Sequence, residues 1–440
     1  MSTPSILRRY IWKDSEPLTQ KQNKIIDVFF NSIVFCTFFS MVAVLLYLVY
    51  AFSSKNIGSS THDWLLGIFS DFVFIMNVSL EESPYIVEDS SYPPLAIAIL
   101  TPFALICKDV FATYSGMFLT VDELTSRVIL HPQFWIAILL FFVLCSAAII
   151  FIIIKMYRLT PSASLKVAMM TVASAPFVFA VMRGNTIYFA FIFLLLFLLL
   201  YEHPKAWVRE IAYLCLVVAG LIKIYPLFFG IYLLHKKKIF PSVRIAFYYF
   251  ALFFISFFLF EGGLSDLEPF LENLGGFASN EERFLKMNNL SITSFIYRVL
   301  YLISPDFANG SAFNLINYAI LAVTMVIATV AGIGTKNNFS RSIIASSIII
   351  LIPSISYFYV LIFMLIPFME LIRSYESFGK IEAKAYLAMF MFLFCVLALL
   401  PQSYIIHTVI VFAMLVIECR RAFKNDIIPF FKSRKTLKEA

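Results

Sequence analysis

Apolar runs of about 20 residues recur along the whole sequence, and each can cross the hydrocarbon core of a bilayer as an α-helix. Of the 440 residues, 61% are hydrophobic and 14% are charged, whereas soluble domains are about one-quarter charged. In lipid, every backbone polar group must find a partner inside the protein, which a helix achieves within one segment. The sequence therefore predicts an all-α polytopic membrane protein.

Basic clusters between the apolar runs predict the orientation of the chain, because Lys and Arg concentrate on the cytoplasmic side. The first run, about 25–52, follows a polar N-terminus without a cleavable signal peptide, so we predict an uncleaved anchor. Clusters such as His235 to Lys238 then give about twelve spans with both termini inside. The other predicted spans are 132–154, 164–183, 186–201, 207–222, 224–236, 241–260, 311–333, 341–354, 355–372, 384–400 and 402–419.

Two long external loops interrupt the predicted transmembrane domain, and the first is expected to hold interfacial helices. Within it, residues 94–121 are apolar around a central Lys108-Asp109, which predicts two short helices rather than one span. A re-entrant hairpin and two tilted crossings both fit the charge pattern. The predicted organisation is a cytoplasmic tail at 1–24, a transmembrane domain at 25–419 with external loops at 53–131 and 261–305, and a basic cytoplasmic tail at 420–440.

The segment from Ser70 to Leu95 differs from the apolar runs around it, because it carries five carboxylates and no Lys or Arg. The topology places it outside, shortly after the first span. A helix over Asp63–Val78 would align Asp63, Gly67, Ser70 and Asp71 in one polar stripe on an otherwise apolar surface. Such a helix lies in the interface, with Asp71 at the boundary of water and lipid. Asp71 then either takes part in chemistry or only solvates the helix.

Four short polar groups elsewhere in the chain are predicted to reach the same external side. They are Arg183-Gly184-Asn185, Lys223 with Pro226, Asn288 to Ser291, and Ser354 to Tyr357. Lys223 is unusual among them, since it interrupts an otherwise apolar stretch from Ile211 to Leu234. A Lys in such a stretch is costly unless it meets an anion or its amine extends to the interface, and both interpretations stay open.

The order of these motifs resembles the GT-C superfamily of membrane glycosyltransferases, and more closely glycosyltransferase family 87. The family's Asp-Phe after the first span and its Tyr-Pro-Pro-Leu are similar to Asp71-Phe72 and to Tyr92 to Leu95. Its Gly-Gln/Asn, Lys-x-x-Pro and Asn-x-Ser motifs are similar to Gly184-Asn185, Lys223 to Pro226, and Asn289 to Ser291, with Arg298 downstream. The resemblance covers roughly residues 25–370.

The resemblance implies transfer of a sugar from a polyprenyl-phosphate donor to a hydroxyl of an envelope glycan or glycolipid, on the outer face of the plasma membrane. It implies an inverting reaction with Asp71 as the general base that takes the acceptor proton. Fixed cations are expected to meet the charge of the leaving phosphate. The implied substrate-binding residues are Lys223, Arg183, Asn185, Tyr92, Asn289, Ser291, Arg298, Tyr357 and Tyr359, with Arg283 and Lys286 as further cations.

The chain departs from the family pattern near its later spans. Many members carry a Trp and a His after a Pro-x-Ser, where this chain has Tyr357, Phe358 and Tyr359. The role of that histidine is therefore in question, and the tyrosine hydroxyls are candidates to replace it.

No cofactor and no protein-held metal site is predicted. The six cysteines lie in or beside apolar runs without a CxxC spacing, which is typical of buried apolar filling. The external carboxylates Asp63, Asp71, Glu81, Glu82, Glu88 and Asp89 fix no coordination set, so metal dependence stays open together with the sugar and the acceptor. The basic tails indicate contact with anionic membrane lipids rather than with nucleic acid.

Two other classes of function stay open on the sequence alone. A transporter or flippase of lipid-linked sugars would carry charged residues deep in several spans and an internal repeat, and neither is evident. A non-catalytic assembly protein of an envelope complex would have the same composition. Consumption of donor by purified protein in detergent separates a transferase from both.

The predicted topology can be tested by cysteine-accessibility labelling in intact cells. Asp71 and Asn289 are both predicted to be external, and a single cysteine introduced at Asp71 is expected to react with an impermeant reagent. Single cysteines in the tails, at Lys13 and Lys435, are expected to react only after the membrane is opened. Labelling of Lys435→Cys in intact cells would contradict the orientation and the external placement of Asp71 together.

Overall fold

The computed structural model describes residues 18–54, 68–87, 90–117, 119–157, 159–279, 289–395 and 403–430. Every regular element in these ranges is a helix, and the isolated antiparallel bridge between Asn289 and Tyr357 lies outside any strand. The predicted all-α class is confirmed for the part of the chain that is described. The predicted positions Asp63, Gly67, Glu88, Asp89, Arg283 and Lys286 lie outside the described residues.

The described residues are mostly α-helical, and the helices are numbered in chain order. The first twelve are α1 Gln20–Ser54, α2 Ser70–Val78, α3 Pro84–Val87, α4 Pro94–Ala98, α5 Thr101–Ile106, α6 Lys108–Tyr114, α7 Val121–Val128, α8 Pro132–Tyr157, α9 Pro161–Ala173, α10 Ala175–Arg183, α11 Ile187–Leu200 and α12 Ala206–Ile222. The later ones are α13 Ile231–His235, α14 Ile239–Phe257, α15 Leu267–Ser279, α16 Ile292–Ile303, α17 Pro305–Ala308, α18 Ser311–Gly334, α19 Asn338–Leu351, α20 Leu365–Arg373, α21 Lys380–Cys395 and α22 Ser403–Ala422.

Three helices among the described residues are long and apolar enough to cross a membrane: Pro132–Tyr157, Ile239–Phe257 and Ala312–Gly334. Two bent pairs raise the number to five if each pair is one span. One pair, Pro94–Ile106 with Lys108–Tyr114, is bent by 92°, which places the break beside the predicted Lys108-Asp109. The predicted number of twelve spans stays a prediction.

The second bent pair, α9 with α10, covers the predicted span 164–183 and is bent by 53°. The backbone of Ser174 is extended between the two helices, and Pro176 stands in the first turn of α10. Proline has no backbone N–H to donate to the preceding turn, so one helix ends and another begins there. The predicted span 224–236 is likewise composite, because a 3₁₀-helix at Tyr225–Gly230 precedes α13.

Contacts along the chain divide the described residues into two compact units. The first contains Phe30–Ile224 and Ile245–Phe277, and the second contains Leu18–Phe29, Tyr225–Arg244 and the chain from residue 289 to residue 430 where described.

An aromatic cluster forms the core of the first unit. The ring of Phe141 on α8 lies 5.1 Å from that of Phe72, 5.7 Å from that of Phe103 and 5.8 Å from that of Tyr188. Offset and edge-on aromatic pairs at these distances stabilise a core beyond the area they bury. Four helices therefore meet at one cluster, and α2 is held with its first turn beside the end of α10.

Polar contacts tie the acidic segment after α2 to the connection after α14, also within the first unit. The carbonyl oxygen of Glu82 accepts hydrogen bonds from the backbone N–H groups of Glu261 (3.0 Å) and Gly262 (3.4 Å). The hydroxyl of Ser83 donates to the buried carboxylate of Asp266. Burial, reinforced by the charge of Asp266, raises the pKa of the nearby Tyr85 hydroxyl well above its ordinary value. Tyr85 is consequently a hydrogen-bond donor at any physiological pH.

In the second unit, a buried carboxylate joins three helices. Glu418 on α22 is fully buried and accepts hydrogen bonds from the hydroxyls of Ser340 on α19 (2.5 Å) and Tyr386 on α21. The guanidinium of Arg421, one turn further on, lies 3.3 Å from the same carboxylate. A buried charge needs such partners, because desolvation without them costs several kcal/mol, on the order of the stability of a whole domain.

Candidate functional site

Asp71 occupies the first turn of α2, and two residues at the end of α10 hold its carboxylate. One oxygen, Oδ1, accepts from the guanidinium of Arg183 in an ion pair, and the other, Oδ2, accepts from Nδ2 of Asn185 at 2.7 Å. The side chain of Asp71 is 12% exposed, and that of Arg183 is 28% exposed. The carboxylate of Asp71 is thus oriented by two hydrogen-bond donors and remains partly exposed at the protein surface.

The backbone after α10 fixes the amide of Asn185. Helix α10 ends at Gly184 in the left-handed conformation (φ 62°), where the amide N–H groups of Gly184 and Asn185 return to the last turn of the helix. The side-chain oxygen of the fully buried Asn185 accepts from the backbone N–H of Ile187 at 3.0 Å. Its NH₂ group is then the end that faces Asp71, which is the orientation that a carboxylate needs.

A close approach between α2 and α10 fixes the position of Asp71. The backbone N–H of Phe69 donates to the carbonyl of Met182 at 2.5 Å, and Phe69 itself has a positive φ of 64°. A Cβ atom at Gly184 would lie 2.3 Å from Cβ of Phe72. Only glycine fits this contact, and it also suits the left-handed backbone there.

Lys223 stands where α12 ends, between the predicted spans 207–222 and 224–236. Its Nζ lies 4.6 Å from the centroid of the Tyr92 ring, which is within the range of a cation–π contact. Burial lowers the pKa of the Lys223 ammonium to about 8, and the charge of Asp71 opposes this shift. The backbone oxygen of Tyr92 accepts from the hydroxyl of Tyr85 at 3.0 Å, which holds the aromatic partner in place.

In the second unit, Asn289 and Ser291 bond the backbone of the loop at 354–357. Oδ1 of Asn289 accepts from the N–H groups of Ser291 (3.1 Å) and Ser356 (3.0 Å), and its Nδ2 donates to the carbonyl of Ser354 at 3.2 Å. The hydroxyl of Ser291 donates to the same carbonyl at 2.9 Å. These two predicted substrate-binding residues therefore hold a loop in the structure.

The other predicted residues of the second unit lie close to that loop or to α22. The rings of Tyr357 and Tyr359 lie 6.0 Å apart. The guanidinium of Arg298 donates to the hydroxyl of Tyr404 at 2.5 Å, and its carbon lies 4.4 Å from the Tyr404 ring centroid. Tyr404 was not a predicted site residue, and no spacing in the sequence links it to Arg298, 106 positions earlier.

The structure thus brings five predicted residues, Asp71, Tyr92, Arg183, Asn185 and Lys223, into the first unit. It places the other five, Asn289, Ser291, Arg298, Tyr357 and Tyr359, in the second. Within the described ranges, no group of three or more His, Cys, Asp or Glu side chains is arranged to hold a metal ion. What the first unit offers is a positioned carboxylate with two cationic side chains, a set suited to proton transfer beside an anion.

The sequence model of glycosyltransferase family 87 matches residues 91–354, and the chain belongs to this family; it is a membrane glycosyltransferase that acts on a sugar donor and an acceptor. Asp71, Tyr357 and Tyr359 lie outside the matched residues, whereas the other predicted residues lie inside them. No curated protein and no solved structure matches the chain.

The contact between Gly184 and Phe72 predicts that Gly184→Ala strongly reduces glycosyl transfer. The added methyl group cannot be accommodated without separating α2 from α10, and a left-handed backbone costs a non-glycine residue about 1–2 kcal/mol. We expect at least about a 10-fold loss of turnover, with helix content by circular dichroism unchanged.

Gly275→Ala on α15 is the matched control, because no atom lies within 4 Å of the added methyl group. It should leave turnover unchanged. Equal activities of the two variants would show that the spacing of α2 and α10 does not matter for the reaction.

Proposed function

We propose that the protein transfers a sugar from a polyprenyl-phosphate donor to a hydroxyl of an envelope glycan or glycolipid, with Asp71 as the general base. Membership of family 87 supports the transferase activity. The observation that supports the donor and the base is the carboxylate of Asp71, which Arg183 and Asn185 hold at the first turn of α2. The reaction is expected to take place at the outer face of the plasma membrane, where the positive-inside pattern places this helix.

The proposed step is a single displacement at the anomeric carbon. The acceptor oxygen forms a bond to that carbon while its proton passes to the Asp71 carboxylate. The bond between the anomeric carbon and the phosphate oxygen breaks, and its electron pair stays on the phosphate. Attack opposite to the leaving group inverts the configuration. A base must lie within hydrogen-bond reach of the proton that it takes, so it has to stand where a lipid-linked sugar is held, at the interface.

Two cations of the first unit are proposed to meet the donor phosphate, namely Lys223 and Arg183. Lys223 is the residue at which α12 ends, and its ammonium lies against the ring of Tyr92. An ammonium in such apolar surroundings is stabilised when it binds an anion. Positive groups fixed before the reaction stabilise the charge that grows on a leaving phosphate. The substrate contacts of Tyr92, Asn185, Asn289, Ser291, Arg298, Tyr357 and Tyr359 stay predictions from the family resemblance.

Asp71→Asn tests the general base. Asparagine keeps the size of aspartate and can still hydrogen-bond, but it does not take a proton at neutral pH. Loss of a general base lowers the rate by about 10²–10⁴-fold, so transfer measured with radiolabelled donor in detergent should fall by that factor. Donor should still bind.

Asp122→Asn is the control for this variant, since Asp122 is an exposed carboxylate in the first turn of α7, in the same predicted external loop. It should keep wild-type turnover. Full turnover by Asp71→Asn would exclude Asp71 as the base, and Glu81 and Glu82 would be the next residues to replace.

Lys223→Met tests the phosphate contact. Methionine keeps much of the apolar stem and removes the charge, and a hydrogen bond to a charged group contributes about 1.5–3 kcal/mol. Donor binding, measured by isothermal titration in nanodiscs, should therefore weaken by about 10–100-fold. Lys108→Met, at an exposed lysine of the same unit, serves as the control. Unchanged affinity in Lys223→Met would mean that the amine only extends to the interface.

A further inference from the structure

Arg183 has a partner before any substrate arrives. Its guanidinium is paired with Asp71, the carboxylate that is proposed to take a proton, while it is itself proposed to meet the donor phosphate. The inference that follows rests on that proposed function. The guanidinium of Arg183 is therefore proposed to interact with two anions, the Asp71 carboxylate and the donor phosphate, whose charges both change in the transfer step.

The two charges change in opposite directions. In a polyprenyl-phosphate sugar, the phosphate is a diester with one negative charge. After transfer it is a monoester, which carries close to two negative charges at neutral pH because its second pKa is about 6. Asp71 begins with one negative charge and becomes neutral when it takes the proton. The sum over both groups is unchanged, and one negative charge has moved from the carboxylate to the phosphate.

We infer that Arg183 changes partner during turnover, from the carboxylate of Asp71 to the phosphate of the polyprenyl product. The attraction that orients Asp71 in the resting enzyme disappears when the carboxylate is protonated, and the guanidinium then has a doubly charged partner. Asn185 keeps its hydrogen bond to the other oxygen of Asp71, so the residue stays in place. Arg183 is thus a positioning residue for the base at the start and a phosphate ligand at the end.

The surroundings of Asp71 support this exchange. Arg183 keeps 28% of its side chain exposed, so the guanidinium can turn toward a ligand without opening the protein. The ammonium of Lys223 lies against the ring of Tyr92, 4.6 Å from its centroid. Among the described neighbours of Asp71, the guanidinium is the cation in direct contact with the carboxylate.

The exchange makes Asp71 a competitor of the phosphate for Arg183, which a double-mutant cycle can measure. The probes are undecaprenyl phosphate and its monomethyl ester, which carry about two and one negative charges at about pH 7. Binding of each is measured in nanodiscs to the wild type, Asp71→Asn, Arg183→Met and the double variant. Asp71→Asn mimics the neutral state of residue 71 after proton transfer.

In the wild-type background, Asp71→Asn should tighten binding of undecaprenyl phosphate by about 10-fold, the ratio expected when one charged hydrogen bond becomes available to the ligand. The monomethyl ester should gain less, because its charge is smaller. In the Arg183→Met background, Asp71→Asn should change neither affinity by more than about 2-fold, since the cation that is exchanged is missing.

The same gain in both backgrounds would overturn the inference, because it would show repulsion by Asp71 without involvement of Arg183. No gain in the wild-type background would also overturn it. If Arg183→Met does not fold, as judged by thermal unfolding, Arg183→Gln replaces it in the cycle. The proposed function is tested separately: full turnover by Asp71→Asn would contradict it. If Asp71→Asn abolishes transfer but leaves the affinities for both probes unchanged, only the partner exchange is excluded.

Discussion

The close packing of Phe72 against Gly184 is the constraint on which the charged groups of the first unit depend. Phe72 belongs to the aromatic cluster around Phe141, so it cannot move without disturbing the core. Its neighbour Asp71 is carried to the end of α10, where Arg183 and Asn185 provide the two donors. An apolar contact thereby sets the geometry of an ionic one.

Buried charge is treated differently in the two units. Glu418 in the second unit is satisfied by Ser340, Tyr386 and Arg421, and it is fully buried, as expected of a group that connects helices. Asp71 has fewer partners, and 12% of its side chain is exposed. Glu418 is thus fully satisfied inside the protein, whereas Asp71 keeps an exposed edge, as its proposed role requires.

The all-α class, the break near Lys108-Asp109 and the grouping of Asp71 with Arg183 and Asn185 could be predicted from the sequence, because composition, charged positions and Gly give strong local signals. The helix predicted over Asp63–Val78 ends at Val78, but in the described residues it begins only at Ser70, after the left-handed backbone of Phe69. The positive φ of Phe69 could not be predicted, because it results from the contact between α2 and α10. The pairing of Arg298 with Tyr404 and the structural bonds of Asn289 depend on the folded chain in the same way.

The bonds that Asn289 and Ser291 make to the loop at 354–357 all end on backbone N–H and C=O groups. Such bonds fix the main chain of the loop, and they do not depend on which side chains the loop carries. Tyr357 and Tyr359 can consequently be replaced by other residues while these backbone bonds persist. The course of the loop and the chemistry of the side chains that it presents are therefore set by different residues.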